Sequence, residues 1–170
     1  RVLFRSAWSA NFTAGLRSAL TIREQLALPG VARNVVWAGG DSTLDTIGVA
    51  DWDSKVYGVV KVGRVSAPLR HLAKQELEEG TIIAVGEFLC ALLLAAYQSR
   101  SWQGKVVIFV TDNTNTEAWI EKRTANNALA RYGLRLLGLM EAEHGFRMAA
   151  AGISTHHNAT MDYLTRAKKK

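Results

Sequence analysis

The sequence predicts an α/β domain built on a mixed five-stranded sheet flanked by helices. Three observations predict it. Three short apolar segments separated by tight turns occupy residues 34–62, the pattern of an antiparallel meander. A long apolar segment of helical length follows the third of them, and a helical crossover implies parallel pairing of the strands on either side. "KVVIFV" (Lys105–Val110) is apolar on both faces, as a central parallel strand is.

Ahead of the sheet, Ala7–Ala27 predicts a helix, with Phe12, Leu16, Ala19, Leu20 and Leu26 approximating one face and Arg17, Arg23 and Glu24 elsewhere. The six residues before it, "RVLFRS", look like a translated sequencing adapter and do not enter the fold reading. On that expectation the chain is a fragment of a longer reading frame. Pro29-Gly30 breaks the chain. Asn34–Gly40 is the first strand, stopping at two glycines and Asp41; Thr46–Asp53 is the second; Val56–Val62, after the turn Asp53-Ser54-Lys55, is the third. Gly63–Gly80 is polar and fits a short helix or a long loop. Ala84 to about Arg100 is a helix apolar nearly all round, expected to be buried on most of its surface. Gly104 ends the connection to the fourth strand. Asn115–Lys122 predicts a short helix and Asn127–His144 a longer one, with Leu129, Tyr132, Leu136, Leu137 and Met140 as its apolar stripe and Gly145 as its stop. Phe146–Ile153 is a fifth strand, Asn158–Ala167 a last helix, and Lys168–Lys170 a solvated tail.

A chain of 170 residues suits one domain. Its 48% hydrophobic and 21% charged content are those of a globular protein. Lys and Arg exceed Asp and Glu by 21 to 15, a balance compatible with an anionic partner but not requiring one. A single cysteine, Cys90, excludes an internal disulfide and a cysteine-based zinc site; lying in an apolar run, it is expected to be buried and inert. Ile82–Tyr97 is short of the roughly 20 residues of a spanning helix and carries Glu87, so a core helix is expected and no membrane. His156-His157 are expected to be ordinary loop residues, since adjacent side chains diverge and no further His or Cys lies near.

The acids carry more information. Asp41 ends the first strand, Glu87 sits in the first turns of the apolar helix, Asp112 ends the fourth strand, and Asp162 lies one turn into the last helix. Three of these are ordinary when taken singly: a turn acid after Gly-Gly, a helix N-cap, and an acid favoured by a helix dipole. Glu87 is not, because acids are seldom buried without a partner. If the first and fourth strands are neighbours, Asp41 and Asp112 emerge side by side, and the crossover helix can bring Glu87 to the same end. Carboxylates so crowded take up protons unless a cation is present. Mg²⁺ prefers oxygen ligands of this kind, and a pair of such ions stabilises both the attacking and the leaving oxygen of a displacement at phosphorus. Asp45, Asp51 and Asp53 are expected to be solvated hairpin residues.

"GGDSTLDTIGVADW", "GEFLCALLLA", "FVTDNTNTEAWI" and "HHNATMDYLTR" together resemble the ribonuclease H domain that follows reverse transcriptase in retroelements, retrotransposon versions in particular. The likeness covers Val35–Arg166. It implies a ribonuclease H-like fold and an Asp-Glu-Asp-Asp site for two Mg²⁺ ions, with Mn²⁺ as a substitute. Asp41 would bridge both ions, Glu87 and Asp112 would ligate one, and Asp162 would complete the other. The implied activity is hydrolysis of the RNA strand of an RNA/DNA hybrid, leaving a 5′-phosphate and a 3′-hydroxyl. Asn113 would touch the RNA strand. Arg123 and Arg131, with Lys122 and Arg135, cluster around the two middle helices, where the family grips the DNA backbone; a solvated helix face is the equally open reading. His157 and Asn158 would also meet nucleic acid; His157 resembles the histidine that assists product release in this family, although in many relatives that histidine lies further upstream on a flexible loop. The implied partners are the hybrid and an upstream reverse transcriptase domain in the same polyprotein, in an intracellular setting. Residues 1–33 then hold the adapter-like start and a helical connection from the polymerase, residues 34–167 the ribonuclease H-like domain, and residues 168–170 a basic tail. One departure is the long segment between Asp41 and Glu87. The acids alone do not separate RNA from DNA substrates. A DNA-acting nuclease or transposase of the same fold, and an inactive nucleic-acid-binding or scaffold module, stay open beside the main reading.

Overall fold

The computed structural model describes residues 34–44, 46–61, 79–154 and 165. The strands are β1 (Val35–Ser42), β2 (Thr46–Asp51), β3 (Val56–Lys61), β4 (Val106–Thr111) and β5 (Arg147–Gly152). The helices are α1 (Glu79–Gln98), α2 (Thr114–Lys122) and α3 (Ala128–His144). The strands form one sheet in the order β3-β2-β1-β4-β5. β1 pairs antiparallel with β2, and β2 with β3, whereas β4 runs parallel to both β1 and β5. The mixed five-stranded sheet expected from the sequence is therefore present. The expected helices at 7–27 and 158–167 lie outside the described residues, apart from Thr165, which is helical.

Several boundaries differ for physical reasons. β1 does not stop at its glycines: Gly39, Gly40 and Asp41 all pair within it. Glycine is needed inside the strand because a Cβ on Gly40 would lie 2.2 Å from Cys90 Cβ. α1 is already helical at Glu79, ahead of the expected Ala84. Ile82, Ala84 and Val85 are buried, and that burial carries the helix back through its polar start. By length and composition Gly80–Gln98 could cross a membrane, but 61% of that window is buried inside the fold.

α3 is rotated from the expected stripe. Its buried residues are Ala130, Gly133, Leu134, Leu137 and Glu141, while Tyr132 and Leu136 are exposed. Gly133 explains the rotation: a Cβ there would stand 2.5 Å from Phe88 Cε1 and 3.0 Å from Leu92 Cδ1 of α1. The helices meet across a side-chain-free spot, which pattern-reading for large apolar residues overlooks. Asn127 caps α3 by accepting from the Leu129 and Ala130 N–H groups, and Gly145 ends it in the left-handed conformation (φ 69°).

The main core lies between the sheet and these helices and includes Phe88, Leu94, Trp102, Phe109, Leu137 and Phe146. Trp102 and Phe146 meet edge to face at 5.4 Å. Asp51 corrects the expectation of a solvated hairpin acid. It is fully buried and accepts from Trp102 Nε1 (3.0 Å) and the Ser54 N–H (2.9 Å), tying the hairpin to the α1–β4 connection.

β5 is an edge strand, and its outward N–H groups are all occupied. Those of Met148, Ala150 and Gly152 donate to Glu141 Oε1 (2.7 Å), Glu121 Oε1 (2.6 Å) and Glu117 Oε1 (3.1 Å). Three glutamates from α2 and α3 thus take the place a sixth strand would hold, and so block edge-to-edge pairing.

Candidate metal centre

The parallel register of β1 and β4 positions the first two acids. Val35 faces Val106 and Gly39 faces Val110; the same offset carried two residues further sets Asp41 against Asp112. On its other side Asp41 is paired with Gly48 of β2, which has no side chain to crowd it. Glu87 arrives from α1. Cys90, one turn further along the same helix face, packs on Gly40, and this close approach brings Glu87 to the end of β1. Burial pushes the Cys90 thiol well above its usual pKa, so it is the inert core residue expected.

Asp41, Glu87 and Asp112 each offer one oxygen, and the three oxygens lie within 4.8 Å of one another. Asp41 and Glu87 are buried and Asp112 is half-buried. Glu87 is held by two donors: Thr111 Oγ1 at 2.5 Å from Oε2, and Asn113 Nδ2 at 3.3 Å from Oε1. Asn113 also caps α2, its Oδ1 accepting from the Asn115 and Thr116 N–H groups. The cap is therefore Asn113 and not Asp112, which leaves Asp112 to the acid cluster. Thr116 Oγ1 donates to the Ala84 carbonyl (3.0 Å) and locks α2 against α1. Thr165 Oγ1 donates to Asp41 Oδ2 at 2.7 Å.

Burial pushes Glu87 up to about 7, with Asp112 and Asp41 adding to the rise and the Thr111 and Asn113 hydrogen bonds opposing it. A divalent cation fits this donor set. All three groups are hard oxygen donors, and their mutual repulsion is the deficit a cation relieves. In the metal-free chain a stability signature follows. Between pH 4.5, the ordinary value, and about 7 the folded state holds a proton that the unfolded chain has released. Stability should fall as pH rises through that window and level off above it, by about 3 kcal/mol from this group. Urea titrations of wild type and Glu87→Gln check this: the substitution should flatten the slope, and an identical slope would contradict it.

Gly40→Ala should also disturb the centre. The added methyl meets Cys90 at its Cβ, not at a flexible tip, so strand and helix must separate. The expected loss is about 1–3 kcal/mol by chemical denaturation, with weaker Mn²⁺ binding, because Glu87 shifts with Cys90.

Of the other expected site residues, only Asn113, Arg123 and Arg131 are among those described. Asp162, His157 and Asn158 lie outside the described residues. Arg123 directs Nη2 to Glu141 Oε1 (2.6 Å) and to the Met148 carbonyl (2.5 Å); its buried Nε and Nη1 have no hydrogen-bond partner among the described residues. Arg131 Nη1 donates to the carbonyls of Asn126 (2.6 Å) and Ala125 (3.3 Å). Arg123, Thr124, Arg131, Leu134 and Arg135 line an open cavity of about 210 Å³. Two residues that hold the centre were missed in the sequence, Thr111 and Thr165. The available signal for Thr111 was a polar side chain closing an otherwise apolar strand directly before Asp112.

No protein-family model matches this sequence, and no curated protein gives a significant match to it.

Proposed function

We propose that this chain is a metal-dependent endonuclease of the ribonuclease H type, cleaving the RNA strand of RNA/DNA hybrids within a retroelement reverse transcriptase polyprotein. The observation that carries the proposal is the convergence of Asp41, Glu87 and Asp112, from two neighbouring strand ends and the crossover helix, with one oxygen of each within 4.8 Å of the others. A sheet of this order with helices on it is compatible with that fold, and the four quoted segments carry the likeness to the family.

Asp41, Glu87 and Asp112 would hold Mg²⁺, with Asp162 as the fourth ligand implied by the resemblance. A bound divalent ion supplies positive charge to the phosphoryl oxygens and lowers the pKa of a water. The chain's own residues do the rest. Thr111 and Asn113 fix the Glu87 carboxyl, so its oxygens stay directed in spite of two neighbouring acids. Asn113 stands at the rim of the centre, the place from which a side chain reaches an RNA 2′-hydroxyl. At the cavity beside Arg123, the exposed Arg131 and Arg135 would offer guanidinium groups to a backbone phosphate, while Arg123 itself is committed to Glu141 and the Met148 carbonyl. Recognition of this kind reads hybrid shape and leaves sequence unread.

The test is incubation of the chain with an end-labelled RNA/DNA hybrid, with and without Mg²⁺. Mg²⁺-dependent cutting of the RNA strand is expected. Cutting of duplex DNA with the hybrid left intact would instead indicate a DNA-acting enzyme, and binding without cutting an inactive module.

A further inference from the structure

We infer that Thr165 is a positioning residue for Asp41, setting the carboxylate for metal through its hydroxyl; this rests on the metal-centre reading above. Thr165 and Asp41 are both buried, at 7% and 8% exposure. Thr165 Oγ1 donates to Asp41 Oδ2 at 2.7 Å, across 124 positions of the chain. A hydroxyl donating to a carboxylate at such a distance is a charge-assisted hydrogen bond, stronger than a neutral one.

The need for it is visible in the centre. Three carboxylates brought within 4.8 Å repel one another, and each side chain must be held in place before a cation arrives. Glu87 has the Thr111 hydroxyl for this, at 2.5 Å. Asp41 has the corresponding hydroxyl from Thr165. The two buried acids of the centre are thus each restrained by a threonine, one on β4 and one on the helical residue 165. The backbone of this part of β1 has its own support: Gly40 packs against Cys90, whose Sγ donates to the Asp41 carbonyl at 3.5 Å. Cys90 therefore fixes the backbone, while Thr165 fixes the side chain. Partners of this type orient ligands and raise affinity without touching the ion.

The experiment is Mn²⁺ titration of the full chain by calorimetry and electron paramagnetic resonance, comparing wild type, Thr165→Val, Thr165→Ala and Thr165→Ser. Valine matches the threonine shape without its hydroxyl, and serine keeps the hydroxyl without the methyl. We expect Thr165→Val and Thr165→Ala to weaken Mn²⁺ binding about 10- to 100-fold, while Thr165→Ser keeps the wild-type affinity. Wild-type affinity in a folded Thr165→Val or Thr165→Ala chain would overturn the inference. So would a serine variant as weak as valine, which would assign the role to the methyl. If the valine chain does not fold, the alanine–serine pair decides in the same way. A wild-type chain that binds no Mn²⁺ overturns the metal reading and this inference together, and is distinct from both previous results.

Discussion

Asp112→Asn is expected to lower hybrid cleavage roughly 100- to 1,000-fold while leaving the chain folded. The magnitude follows from the several kcal/mol that a charge-stabilising metal contributes, at about 1.4 kcal/mol for each tenfold change in rate. Asparagine has the shape of the carboxylate but not its charge, so the change falls on metal binding and leaves packing largely alone. Stability provides a second signature. Asp112 is one of the groups that raises the Glu87 pKa. Its neutralisation should bring Glu87 down toward the ordinary value and make the metal-free chain more stable at pH 8 than wild type. Lost activity with equal or raised stability marks a functional acid, since a structural one would lose both. Equal cutting by the two proteins would refute the nuclease assignment.

Glu141→Ala is expected to destabilise the fold by about 3–5 kcal/mol. Glu141 Oε1 accepts from Arg123 Nη2 (2.6 Å) and the Met148 N–H (2.7 Å), and Oε2 from Arg147 Nη1 (3.2 Å). Its side chain is 7% exposed and that of Arg123 is 22% exposed. Burial already draws the Arg123 guanidinium below its usual pKa, and Glu141 is the main group opposing this. Removal of Glu141 leaves Arg123 as an uncompensated buried charge and exposes one of the three guarded N–H groups of β5. Glu141→Gln keeps an acceptor and should cost less than alanine. Urea denaturation of the three chains checks the order; a loss under about 1 kcal/mol would show the pair behaving as an exposed one.

Much of the sheet was legible because its signals are local. The period of the meander, the two-faced apolarity of β4 and the Asn127 and Gly145 caps of α3 need no knowledge of distant residues. The acid cluster was legible because topology converts strand ends into neighbours: once β1 and β4 pair in parallel, Asp41 and Asp112 must emerge together. Contacts between distant small residues were not legible. Gly40 against Cys90, and Gly133 against Phe88, decide where α1 and α3 sit, yet a glycine in a sequence window reads as a break or as nothing. Asp51 was misjudged for a similar reason, since its partner Trp102 is 51 residues away. Thr165 was passed over because a hydroxyl gains meaning only when the acid it holds is in view.

The most direct measurement is anomalous diffraction from crystals of the chain soaked in Mn²⁺. An anomalous peak coordinated by carboxylate oxygens of Asp41, Glu87 and Asp112 is expected. Saturating Mn²⁺ with no peak between these residues, or side chains turned apart around an apolar gap, would contradict the metal-centre reading.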